Sequence, residues 1–214
     1  MKKVFNLLYF EYRQTILFTM FGLYTFLGIT KLSNFNNLFY WETFANIIVA
    51  SIALVLFIYL IVDFFNRKFK LTWYLIFGVI CASVVIFTAK SAMLCFFIAF
   101  LYVFKDSNFN KIAKVSALSI FIAVGVVVLG SLIGLIETSI IMRENISRQT
   151  LGFQSATSVN ELLMLGILAY NFYRKEKITW MELLLELIAV SVGFYFTNTR
   201  LGFLLTFVCK YFKS

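Results

Sequence analysis

The chain has 214 residues, 62% hydrophobic, 19% aromatic and only 14% charged, with a mean hydropathy of +0.91. A soluble domain is about 45–50% apolar and about 25% charged, and a globule of this size cannot hide the excess from water, so the composition excludes a soluble protein and points to lipid. The formal charge is +9 with no His and no Pro, which removes Ser–His–Asp triads, Cys–His dyads, His-ligated zinc or haem and proline-kinked helices.

The chain opens with MKKVFNLLYFEYRQ. It is basic and aromatic, and no small-residue cleavage site follows, so residues 2–13 read as an interfacial segment with Phe5, Tyr9, Phe10 and Tyr12 at headgroup level. The first span then serves as an uncleaved anchor. A crossing helix needs about 20 apolar residues. Polar breaks divide the remainder into spans near 14–32, 43–65, 71–89, 91–104, 115–136, 159–173, 181–197 and 201–211. The run 71–104 is interrupted only by Thr88-Ala89-Lys90-Ser91. As one helix it would be about 51 Å long at about 1.5 Å per residue, so two spans with a turn at Lys90 fit better. The fold class expected is all-α: a polytopic helical membrane protein of about eight spans, one transmembrane domain over residues 1–214.

Basic residues test the division. With eight spans and both termini cytoplasmic, Lys2, Lys3, Arg13, Arg67, Lys68, Lys70, Lys105, Lys111, Lys114, Arg174, Lys175, Lys177, Lys210 and Lys213 face the cytoplasm, and Lys31, Lys90, Arg143, Arg148 and Arg200 face out. That is 14 against 5; a single span over 71–104 would give 9 against 9 and leave Lys90 in the bilayer. The positive-inside rule favours eight spans. The basic clusters are thus topology determinants, and nucleic acid is not an expected partner. Cys81, Cys95 and Cys209 all lie in apolar runs, an arrangement of packing residues rather than a disulfide framework or a metal site.

The outer loop 137–158 is the longest and has room for chemistry. Arg143 and Arg148 lie in it, Arg148 within Arg148-Gln149-Thr150-Leu151-Gly152-Phe153, and Arg200 closes Thr197-Asn198-Thr199-Arg200 at the outer end of a span. A guanidinium fork suits phosphate oxygens. The same residues can equally snorkel and pair with Glu137 or Glu144. Gly152 permits a positive φ where the loop folds back toward the membrane. A cationic cavity there would suit an anionic headgroup such as a lipid-linked pyrophosphate. Glu161, opening the sixth span, and Glu137 are candidate bases. Glu182 and Glu186 share a helix face near the inner start of the seventh span, where the helix dipole favours carboxylates. Asp63 and Arg67 read as an interfacial i,i+4 pair, and Gly130 and Gly134 as a GxxxG surface for helix packing.

A basic inner loop from Phe104-Lys105-Asp106 to Asn110-Lys111-Ile112-Ala113-Lys114 is followed by a Gly-containing helix and the Arg148–Phe153 loop. A helix ending Tyr173-Arg174-Lys175 comes next, and then one closing Tyr195-Phe196-Thr197-Asn198-Thr199-Arg200. This order over about residues 85–205 resembles the Wzy-like polymerases of bacterial capsule, exopolysaccharide and O-antigen repeat units. Arg148, Gly152 and Phe153 match that family's outer-loop motif, and Thr197, Thr199 and Arg200 its helix-end motif. Where the family often has His-Pro-Asn, this chain has Ser155-Ala156-Thr157, with an Asn only at Asn160. The chain resembles the N-terminal half of such a polymerase, and a truncated, inactive product is one expectation.

The resemblance implies joining of undecaprenyl-pyrophosphate-linked oligosaccharides at the outer face of the bacterial cytoplasmic membrane, with no cofactor and no metal. Arg148, Arg200 and Glu161 would be catalytic. Arg143, Arg148, Gly152, Phe153, Thr197, Thr199 and Arg200 would bind the lipid-linked substrate, and other polysaccharide-synthesis membrane proteins would be partners. A non-catalytic membrane partner and a lipid-linked sugar flippase remain open beside it.

Overall fold

The computed structural model describes residues 12–38, 40–65, 80, 83, 93–104, 107–143, 146–174 and 179–197. Helix α1 spans Arg13–Lys31, followed by a 3-10 turn at Asn34–Asn37. Then come α2 (Trp41–Phe65), α3 (Met93–Val103), α4 (Phe109–Leu132), strands β1 (Ile140–Arg143) and β2 (Ile146–Gln149), α5 (Ser158–Tyr173) and α6 (Trp180–Thr197). The chain is mostly helical. Three of these helices are long and apolar enough to cross a membrane: Trp41–Asp63, Phe109–Leu132 and Trp180–Thr197. The N-terminal interfacial segment up to residue 11, the turn at Lys90, the span 71–89 apart from residues 80 and 83, and the span 201–211 lie outside the described residues.

Contacts divide the chain into two compact units, Met1–Ala45 with Phe109–Ser214, and Asn46–Asn108. In the second, Ile52, Leu56, Tyr59 and Asp63 are buried at helical spacing on α2, and the Phe100 and Phe104 rings stack at 5.9 Å on and just after α3. Asp63 is 2% exposed rather than sitting at a solvated boundary; Arg67, its expected partner, lies outside the described residues.

The first unit is built on α4. Its buried stripe is Ala113, Ala117, Ile120, Ala123, Val124 and Val127. Lipid tails are as apolar as these side chains, so helix association rests on close packing, which small residues permit. Helices α1 and α5 pack on this stripe. They approach closely: a Cβ on Gly22 would lie 3.0 Å from Ser119 Oγ, and one on Gly166 would lie 3.0 Å from the Phe121 ring.

Helix α4 runs from Phe109 to Leu132 rather than over 115–136. It continues through the basic turn at Lys111 and Lys114, because a helix does not stop where its apolar stretch does. It ends earlier because of Gly134. Gly134 takes φ +81°, its N–H bonds to the Ser131 carbonyl (3.1 Å), and the Leu135 N–H reaches the Gly130 carbonyl (2.9 Å). This is a Schellman cap. It overturns the GxxxG reading: Gly134 is the cap residue, and Gly130 makes room for Ile136 of the following turn.

The all-α expectation holds in its main part, and a short hairpin is added to it. The segment between α4 and α5 contains an antiparallel hairpin pairing Ile140 with Gln149, Ile141 with Arg148, Met142 with Ser147 and Arg143 with Ile146.

Candidate functional site: the hairpin end of the bundle

Beyond the cap, Ser131 and Thr138 share a hydrogen bond between their hydroxyls. Thr150 locks the base of the hairpin. Its N–H donates to the Ser139 carbonyl (3.0 Å), and its hydroxyl accepts from the Ser139 N–H (3.0 Å). The chain then turns sharply inward. Leu151 and Gly152 have φ of +49° and +83°, and the Phe153 N–H closes the turn on the Thr150 carbonyl (3.0 Å). A positive φ costs a non-glycine residue about 1–2 kcal/mol. Burial of Leu151 at 3% exposure holds it there.

Phe153 follows with no exposed surface. It sits in a cluster with Ile29, Val127, Ile136, Leu151 and Val159. The backbone is pinned on both sides of it: the Asn34 N–H donates to the Gly152 carbonyl (2.8 Å), and the Gln154 N–H to the Leu32 carbonyl (3.1 Å). Asn34 Nδ2 also donates to the Glu137 carbonyl (2.7 Å). The end of α1, the end of α4 and the start of α5 are thereby joined at one place.

Ser155-Ala156-Thr157 leads into α5, with Thr157 at its N-cap. The Ser155 and Thr157 hydroxyls lie 2.9 Å apart, and Ser155 Oγ accepts from the Thr157 N–H. Glu161 follows in the first turn of α5 and is exposed.

One turn of α5 reaches α6. Asn160 Nδ2 donates to Thr197 Oγ1 (2.9 Å), and the Thr197 hydroxyl donates to the Gly193 carbonyl (2.7 Å). Both side chains are buried, Thr197 completely. Gly193 allows the crossing, because a Cβ there would collide with Asn160 Oδ1. Sequence reasoning gave Asn160 no role; the signal was a Gly193–Thr197 spacing of one helical turn opposite a lone amide.

Strand β2, which carries Arg148, packs against α6, and Phe196 of α6 packs on the Phe153 cluster. The two sequence motifs therefore meet, at least as far as Thr197; Thr199 and Arg200 lie outside the described residues. Arg148 is part-buried. Its Nε is buried and finds no acceptor among the described residues, and it makes no ion pair with Glu137 there. Glu144 lies outside the described residues, and Arg143 is placed by its backbone alone, opposite Ile146 at the turn. Gly152 and Phe153 position the strand from within the core. The described residues hold no cluster of three or more metal-ligating side chains.

The opposite end of the bundle is also polar. Thr179 and Glu182 form a capping box on α6: Glu182 Oε2 accepts from the Thr179 N–H (2.9 Å), and Thr179 Oγ1 accepts from the Glu182 N–H (3.4 Å). Glu182 Oε1 takes the Tyr170 hydroxyl (2.7 Å) and an ion pair from Arg174. The Lys114 ammonium lies 5.2 Å from the Tyr173 ring centroid. A half-open cavity of about 270 Å³ lies between α4, α5 and α6, lined by Phe121, Ile167, Tyr170, Leu185 and Ala189 with Glu182 and Glu186.

The chain matches no protein-family model, no curated protein and no solved structure.

Proposed function

We propose that the chain is a multi-pass protein of a bacterial cytoplasmic membrane that acts on lipid-linked oligosaccharide repeat units, with the hairpin end facing outward. What supports the reading is the unsatisfied Nε of Arg148 on a strand packed against the helix that ends three residues before Arg200. A buried guanidinium N–H without an acceptor is costly unless a bound anion supplies one.

In the proposed reaction, a sugar hydroxyl of the incoming unit attacks the anomeric carbon of the growing chain. The bond from that carbon to the pyrophosphate oxygen breaks, undecaprenyl pyrophosphate leaves, and the hydroxyl proton passes to a base. Arg148 and Arg200 bind the pyrophosphate and stabilise the charge that gathers on it. Glu161, in the first turn of α5, is the proposed base.

The test is polymer formation in a strain that depends on this gene. Arg148→Ala and Arg200→Ala should each abolish polymer, Arg148→Lys should restore only part of it, and Lys111→Ala on the exposed far end of α4 should change little. Equal tolerance at all of these positions removes the reading. Sidedness is checked separately: an aqueous thiol reagent added outside cells should label Ser147→Cys and spare Lys111→Cys.

A further inference from the structure

The hairpin divides its chemistry between its two strands. Strand β1 reads Ile-Ile-Met-Arg, and Ile140, Ile141 and Met142 are all exposed, at 64%, 41% and 71%. Strand β2 reads Ile-Ser-Arg-Gln, with Ser147 and Gln149 exposed and Arg148 part-buried. The amphipathic axis thus runs in the plane of the hairpin, from an apolar edge to a polar one. The exposed apolar surface begins before the hairpin, at Ile133 and Leu135, which directly follow the candidate span α4.

We infer that β1 lies in the headgroup layer of the bilayer as an interfacial anchor, with its apolar side chains at the acyl boundary. Depth is set by the backbone. Among the described residues β1 pairs only with β2, so its other edge carries N–H and C=O groups that need partners. Hydrocarbon supplies none, whereas headgroups and their water do. Free water would leave Ile140, Ile141 and Met142 all unburied. The headgroup layer answers both the free edge and the exposed side chains. The inference needs α4 to cross the membrane and does not depend on the polymerase chemistry.

The full chain, with Cys81, Cys95 and Cys209 replaced by Ala, is reconstituted into phosphatidylcholine–phosphatidylglycerol vesicles carrying a nitroxide at a shallow acyl position. A fluorophore on Met142→Cys should be quenched by the nitroxide several-fold more than one on Gln149→Cys, and should resist aqueous iodide. Ile140→Cys gives a second reporter on the same strand, and far-ultraviolet circular dichroism checks that each variant keeps its helix content. Equal quenching at positions 142 and 149 with open access to iodide overturns the inference. So does ready disulfide cross-linking of Met142→Cys between copies, which would assign the free edge to a second chain.

Discussion

The two ends of the helical unit handle polar groups in opposite ways. At the end formed by Tyr170, Arg174, Thr179 and Glu182, the Arg174 guanidinium and the Glu182 carboxylate answer each other, and the carboxylate alone takes contacts from three residues. At the hairpin end, hydroxyls and backbone groups satisfy one another around an aromatic plug, while the guanidinium of Arg148 retains a buried donor with no acceptor among the described residues. A closed network stabilises a helix start. An open donor beside a closed network is what a binding site requires. Charge alone did not separate the two ends; the local satisfaction of that charge did.

Four substitutions would break or sharpen this contrast. Phe153→Ala should have the largest effect, a loss of about 3–5 kcal/mol, because it empties the cluster that joins α1, α4 and α5. Unfolding in mild detergent with added SDS would read it. Gly152→Ala should cost about 1–3 kcal/mol in the same measurement. A Cβ there would lie 3.2 Å from the Val127 carbonyl oxygen, on a residue with φ +83°.

Thr197→Val comes next, at about 1–2 kcal/mol, since it removes the acceptor of Asn160 Nδ2. Combined with Asn160→Leu, it should show a coupling of about 0.6–1.7 kcal/mol, the range of hydrogen bonds between membrane helices. The smallest loss, about 0.5–1 kcal/mol, is expected for Thr179→Ala, which opens the capping box at the far end. Polymer formation should survive Thr179→Ala. Should it fall there as sharply as with Arg148→Ala, the distinction between a structural end and a binding end collapses.

Hydrophobic pattern located the helices well. The readings 14–32, 159–173 and 181–197 lie within a residue or so of α1, α5 and α6 as helices, because a long apolar run bounded by charge admits few alternatives. Of these three, α6 is the one long and apolar enough to cross a membrane. The hairpin was not legible. Its strands are four residues each, too short for an alternating pattern, and the two residues between them in sequence, Glu144-Asn145, include no glycine. Gly130 and Gly134 misled because a cap and a packing surface use the same residue for different reasons: a positive φ in one case, close approach in the other.

The candidate site was legible in part. Arg148 stood out by its charge against the positive-inside bias, and the positive φ of Gly152 followed from its place in the loop. Phe153 and Thr197 were grouped with the binding residues, yet both are fully buried. A motif written in one dimension does not separate a side chain that touches a ligand from one that holds its neighbour in place. Asn160 was passed over for the complementary reason: its partner, Thr197, lies on another helix.

The single antiparallel bridge between Ser33 and Phe153 carries a consequence for biosynthesis. It joins the end of the first described helix to a segment made much later. At about 5–20 residues per second, α1 is synthesised several seconds before the segment that completes its end. Until then the Leu32 carbonyl and the Asn34 amide await their partners, and Ile29 has no Phe153 ring to cover it. Nascent chains halted before Phe153 should therefore carry an unfinished α1, open to chaperones and membrane proteases, and release from that surveillance should coincide with the arrival of α5.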